Sequence, residues 1–154
     1  MEISNLWTSW PICGPWNVSP LSGGTNNSVW RADAADGQSY VLHISPDLTR
    51  IPRIHYEAQL LQSLSNKNLP FLLPVPLRAN NGDIVVLFEQ EQGTTALATL
   101  SHLLPGNLQD RSPERDDPLS ASHAGFTLAL LDAALATLPD IQPPDRLASL
   151  PTFG

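Results

Sequence analysis

The sequence predicts an α+β fold: a five-stranded antiparallel sheet with one helix between its third and fourth strands, followed by a second helix. Three observations predict it. Short β-rich stretches alternate with turn signals from Asn17 to Ser45. Apolar residues then recur at helical spacing at Ile54, Ala58, Leu61 and Leu64. Two further apolar stretches, 83–89 and 94–103, precede a break at Leu104-Pro105-Gly106.

Taken in order, the chain opens on Trp7, Trp10 and Trp16, interrupted by Pro11 and Pro15. This predicts a short helix or loop packing indoles against the body that follows, because aromatic side chains supply large apolar area. Val18 to Leu21 reads as the first strand and Asn27 to Ala34 as the second, after a loop containing Gly23-Gly24. Asp36-Gly37 supplies the positive backbone dihedrals of a tight hairpin into the third strand, Ser39 to Ile44. The helix spans Arg50 to Ser65, with polar Gln59, Gln62 and Ser63 off its apolar stripe. After the proline-rich Leu69 to Pro76, the run Asp83 to Glu89 reads as a buried strand and Thr94 to Leu103 as the fifth. Asn107 to Pro118 is polar and charged, which predicts a linker. Leu119 to Leu138 forms the second helix, with Phe126, Leu130, Leu131, Ala134, Leu135 and Leu138 near one face and Pro139 ending it.

Composition narrows the function classes. Hydrophobic residues make up 42% of the 154, enough for a core, while 15% are charged. The formal charge of −7 argues against a nucleic-acid partner, since phosphate-backbone binding relies on clustered Lys and Arg. A nucleotide remains compatible, because backbone N–H groups and one metal ion neutralise its phosphates. The lone Cys13 cannot close an internal disulfide, and no apolar run reaches the ~18 residues of a membrane span. The expectation is a cytoplasmic protein with no membrane partner.

The informative stretch is Leu21-Ser22-Gly23-Gly24-Thr25-Asn26-Asn27-Ser28-Val29-Trp30, followed by Tyr40-Val41-Leu42 and by Glu57 on the helix. Two glycines let backbone approach phosphate oxygens, and Ser22, Thr25, Asn26 and Asn27 offer hydrogen bonds nearby. Together with Leu73-Pro74-Val75-Pro76 and the Leu104-Pro105-Gly106 turn, these residues resemble the aminoglycoside phosphotransferase and choline kinase-like superfamily, particularly its homoserine kinase type II-like branch. The resemblance covers most of the chain from Trp16 onward. It implies a protein-kinase-like N-terminal lobe followed by the first helix of an incomplete C-terminal lobe. Residues 1–103 would be the ATP-binding lobe, 104–118 the hinge and linker, and 119–154 the start of the second lobe.

The resemblance also implies roles. Ser22, Gly23, Gly24, Thr25, Asn26 and Asn27 would cover the triphosphate of ATP. His43 stands where the family's third strand offers a basic residue to the phosphates, and Glu57 where a helix glutamate orients it. Imidazole has an ordinary pKa of ~6.5, so a full charge at neutral pH requires a neighbour such as Glu57 to raise it. The plainer role for His43, a strand histidine hydrogen-bonded within the lobe, stays open. Leu103, Leu104 and Gly106 fall where the family holds adenine through backbone hydrogen bonds. The sole lysine, Lys67, follows the helix and cannot replace the strand residue.

Transfer requires an aspartate that accepts the substrate proton, a downstream asparagine and a further aspartate for magnesium. The family's His-x-Asp pattern is absent: His43, His55, His102 and His123 are followed two positions later by Ser45, Glu57, Leu104 and Gly125. No catalytic residue and no metal ligand is therefore assigned, and the Mg ligands are expected from the rest of the C-terminal lobe. The leading expectation is the ATP-binding portion of an enzyme that phosphorylates a small hydroxyl-bearing substrate, inactive alone. The alternative is a non-catalytic nucleotide-binding or protein-interaction module, with self-association through the apolar helix 119–138.

Overall fold

The computed structural model describes residues 3–12, 17–21, 28–91, 93–106 and 118–144. A short helix α1 (Ile3–Leu6) runs into a 3-10 turn (Trp7–Ser9). Strands β1 (Asn17–Leu21), β2 (Ser28–Asp33) and β3 (Ser39–Ser45) follow. After a second 3-10 turn (Leu48–Arg50) come helix α2 (Ile51–Ser65), strands β4 (Val86–Glu89) and β5 (Thr95–His102), and helix α3 (Pro118–Leu135). All five strands join one antiparallel sheet in the order β1-β2-β3-β5-β4. The α+β fold and its element order are as the sequence predicts. No helix among the described residues is long and apolar enough to cross a membrane.

Register decides which residues share a face, because cross-strand partners project to the same side. Trp30, Leu42 and Leu100 are successive partners across β2, β3 and β5, and they define the first face. It carries the larger core, built from Ala32, Tyr40, Ile44, Phe88, Ala96 and Ala98 together with Leu6, Trp7 and Trp10 of the N-terminal segment. The expected packing of indoles against the sheet is therefore realised for Trp7 and Trp10, both essentially inaccessible. Trp16 lies outside the described residues.

The second face carries Val29, His43 and Thr99 as successive partners, with Leu21 opposite Val29 on the edge strand. Helix α2 covers part of this face. A smaller core of Ala58, Ile84, Val85 and Leu97, with Ile51 and Ile54 packed on it, fastens the helix to β5. Strand β5 is consequently buried on both sides at Ala96, Leu97 and Ala98. The helix forms because its apolar residues repeat at helical spacing and Pro52 occupies its first turn, where a missing N–H costs nothing.

Two local expectations are corrected. The hairpin between β2 and β3 does not have positive dihedrals at both Asp36 and Gly37. Ala34 and Gln38 close it, the Gly37 N–H donates to the Ala34 carbonyl, and only Gly37 has positive φ, at 82°. That is a three-residue loop, and it also needs glycine at its left-handed position. The strand expected over 83–89 begins at Val86 instead. Asp83 Oδ1 accepts from the Ile84 and Val85 amides at 2.6 and 3.1 Å. A side chain that satisfies those N–H groups competes with the sheet ladder.

Helix α3 exposes much of its apolar surface, with Phe126 64% and Leu128 58% accessible. The stripe expected from the sequence divides: Leu130, Leu131, Ala134 and Leu138 are half-buried, whereas Phe126 and Leu135 are exposed.

Candidate functional site

Between β3, β5 and α2 lies a cleft of about 280 Å³. Its polar lining comes from His43 and Ser45 of β3, Arg50 of the second 3-10 turn, Glu57 of α2, and Thr99 and Ser101 of β5. Ile54, Leu61, Pro74 and Leu97 supply its apolar walls. The two residues singled out from the sequence on different elements, His43 and Glu57, thus meet in one cavity.

They do not form the brace expected of them. The Glu57 carboxylate accepts from Arg53 Nε at 2.6 Å, one helical turn back, in an ion pair exposed on both sides. No ion pair joins His43 to Glu57 among the described residues. Nor is the imidazole pushed toward its charged form. Protein atoms packed around the ring displace water and lower its pKa below the ordinary value, and the nearby Arg50 charge lowers it further. The shift therefore runs opposite to the one a neighbouring Glu57 could have produced, with burial its larger cause and the Arg50 charge its smaller. His43 still presents much of its surface to solvent, which limits the effect.

The consequence for stability has a definite sign. Between the depressed folded value and the ordinary ~6.5, the unfolded chain binds a proton at His43 that the folded chain refuses. Stability therefore falls as pH falls through that window and is independent of this group above it. Urea unfolding midpoints measured from pH 8 to pH 5 should drop more for the wild-type chain than for His43→Gln. Parallel curves would show that His43 is not held in its neutral form.

Arg50 was not marked as a site residue by the sequence. It sits at the end of a 3-10 turn fixed by Asp47, whose Oδ1 accepts from Thr49 N at 3.0 Å and from Thr49 Oγ1 at 2.6 Å. The Asp47 carbonyl also accepts from the Arg50 amide at 3.3 Å. An Asp-x-Thr opening such a turn is the signal that would have placed Arg50 close after β3.

Leu103 and Leu104 line a different concavity, of about 640 Å³, with Gly37, Gln38, Ser39 and His102. The Leu103 N–H is spent on the Ser39 carbonyl at 2.8 Å, which extends the β3–β5 ladder by one pair. Gly106 has φ of 146°, a region that favours glycine. Ser22, Gly23, Gly24, Thr25, Asn26 and Asn27 lie outside the described residues.

The turn after β5 and the His43 cleft are nevertheless connected by one side of the sheet. On that side β3 presents Ser39, Val41 and His43, and β5 presents Leu103, Ser101 and Thr99. Four residues of extended strand span about 13 Å. Leu21, Val29 and Val41 give the strip an apolar surface, with Leu21 38% exposed and both valines half-buried. All three lie in the stretches that carry the family resemblance, but the sequence assigned them no role, since alternation separates two faces without saying which one is left open.

A larger cleft of about 740 Å³ lies between α2 and the loop 75–84, lined by His55, Gln59, Gln62, Arg78 and Asp83 among others. It contains none of the residues expected at the site. Its His55 Nε2 to Asp83 Oδ1 contact, 3.4 Å, is open to solvent on both sides. Among the described residues no three His, Cys, Asp or Glu side chains converge to hold a metal ion.

Comparison with known proteins supplies the remaining finding. The model of the phosphotransferase enzyme family matches residues 17–153. Among solved structures the fold is similar to amicoumacin kinase hAmiN in complex with AMP-PNP, Ca2+ and Ami, with a TM-score of 0.57 and 20% identity. It is also similar to the microcompartment-associated aminopropanol kinase, with a TM-score of 0.55 and 14% identity. Each likeness covers 71% of this chain and 32% of the other, so the chain spans about a third of the length of those kinases. No curated protein sequence matches it. With the family match extending over most of its length and a kinase-like lobe as its fold, the chain belongs to the phosphotransferase enzyme family.

Proposed function

We propose that this chain is the nucleotide-holding portion of an ATP-dependent phosphotransferase acting on a hydroxyl group of a small molecule. The observation that carries the reading is the open strip of sheet between the hinge turn and the His43 cleft. An apolar surface at Leu21, Val29 and Val41 suits the face of a purine ring. The polar cleft beyond it, at about 280 Å³, is sized for phosphate groups and not for a whole nucleotide. On this reading Ser22 to Asn27 close over the phosphates, and Leu103, Leu104 and Gly106 meet the base through backbone groups.

Magnesium would accompany the triphosphate. The described residues offer no converging set of ligands for it, so no step is derived through the ion. The sequence also holds no His-x-Asp pattern to accept a substrate proton. The 154-residue chain is therefore expected to bind ATP without transferring its γ-phosphate.

A second reading, a non-catalytic interaction module, is favoured by the exposed apolar face of α3. One set of measurements separates the two. Isothermal titration of the purified chain with Mg-AMP-PNP should give saturable binding, and incubation with ATP and candidate alcohols should yield no ADP above background. Absence of binding, together with a mass that rises with concentration in light scattering, would favour the interaction module. Phosphorylation of an added alcohol, with contaminating kinases excluded, would refute the expected inactivity.

A further inference from the structure

We infer that Arg50, not a residue of β3, carries the phosphate charge of this site, with His43 beside it as a hydrogen-bond donor. The inference rests on the nucleotide reading given above and adds the identity of the group that answers the triphosphate.

Four observations lead to it. First, Arg50 is the one arginine or lysine lining the cleft among the described residues. Lys67 follows the far end of α2, a helix of 15 residues and so about 22 Å long, and Arg53 is held by Glu57. Second, Arg50 is delivered to the cleft by a turn whose backbone is fixed through Asp47, while Ile51 and Ile54 anchor the helix behind it. A cation on such a support loses less freedom when it meets a ligand.

Third, His43 is kept from acting as the cation by its surroundings. The charged groups facing it in the cleft are Arg50 from the turn and Glu57 from α2, whereas β5 contributes only the uncharged Thr99 and Ser101. Its β2 partner is Val29. The single carboxylate among them pairs with Arg53, and burial of the ring, with the Arg50 charge as the smaller cause, opposes protonation. A neutral imidazole still donates one N–H, which is enough for one phosphate oxygen.

Fourth, guanidinium chemistry suits the task. Arg50 already engages a group of the protein. Its planar fork of five N–H donors matches two oxygens of a phosphate in geometry, and its charge does not titrate. Substituting an arginine from the following turn for a basic strand residue keeps the charge on the same side of the sheet while freeing the strand position to be histidine.

The test is isothermal titration of the 154-residue chain and of Arg50→Ala and His43→Gln at pH 8, with Mg-AMP-PNP and with adenosine as separate ligands. Losing a charge-assisted contact to phosphate is expected to weaken AMP-PNP binding about tenfold or more in Arg50→Ala. Adenosine, which has no phosphate, should bind that variant as it binds wild type, and this also shows the variant to be folded. His43→Gln should weaken AMP-PNP by less than Arg50→Ala does. The inference is overturned if Arg50→Ala loses less than tenfold, if it loses adenosine equally, or if His43→Gln is the more damaged variant. In those cases wild-type binding leaves the nucleotide reading standing. If wild type binds neither ligand, that reading falls and the inference with it.

Discussion

Truncating Trp10 to alanine is expected to cost the fold about 3–5 kcal/mol, the range for deleting a large buried aromatic side chain. The residue is 1% exposed and belongs to the larger core, where it covers the sheet face carrying Leu42 and Leu100. Its indole N–H also donates to the Leu77 carbonyl at 3.3 Å. Around it the N-terminal segment is stitched to the loop before β4. The Ser9 carbonyl accepts from Asn80 N at 2.8 Å, and the Thr8 carbonyl from Asn80 Nδ2 at 2.8 Å. A hole at Trp10 thus removes apolar contact from one side of the sheet and loosens the segment that seals it.

Against the 5–15 kcal/mol that domains usually have, such a loss brings the chain near its unfolding threshold. Urea denaturation followed by far-ultraviolet circular dichroism is the measurement, since removing one of four tryptophans complicates fluorescence. Trp10→Phe, which keeps a ring and loses the hydrogen bond, should cost clearly less. A cost below about 1 kcal/mol for Trp10→Ala would show that α1 and the turn after it do not seal the core.

The same residues show how far the sequence could be read. Trp7 and Trp10 announced a core because indoles so close to a β-rich body have few other uses, and helix α2 announced itself through Ile54, Ala58, Leu61 and Leu64. Periodicity of this kind is written by burial, so burial confirms it. The errors have a different origin. Asp83 shortens β4 by capturing two amides with one carboxylate oxygen, and Asp36-Gly37 sits in a three-residue loop with positive φ at Gly37 alone. Both depend on hydrogen bonds between neighbours that composition does not display.

The site was legible in a similar, partial way. His43 and Glu57 were associated through family resemblance and do share one cleft, but the ion pair suggested between them is replaced by the pairing of Glu57 with Arg53. A short 3-10 turn has no period, so the Asp47-x-Thr49 opening was the only mark that the sequence carried for Arg50. The apolar strip needed the register: Leu21 opposite Val29, and Val29 opposite His43, become one surface only when the strands are aligned.

That dependence of the cleft on packing underlies the second large effect. Leu97 is 2% exposed, pairs with Ser45 on β3 and Leu87 on β4, and holds Ala58 of α2 together with Ile84 and Val85. Leu97→Ala should cost about 2–5 kcal/mol, the spread reflecting how far helix and sheet can close on the void. Because Leu97 also lines the cleft, the same closure shifts α2 and the turn bearing Arg50 relative to His43. Nucleotide affinity should therefore fall in the fraction that remains folded. Leu64→Ala provides the comparison: it removes an equally buried leucine, 4% exposed, from the last turn of the helix, outside the cleft lining. It is expected to lose stability while keeping AMP-PNP affinity near wild type. Titration with AMP-PNP at a temperature where both variants are folded by circular dichroism makes the distinction. Equal affinity in Leu97→Ala and wild type would mean that the position of α2 against β5 does not govern the cleft, and that Arg50 and His43 are positioned by the turn and strand alone.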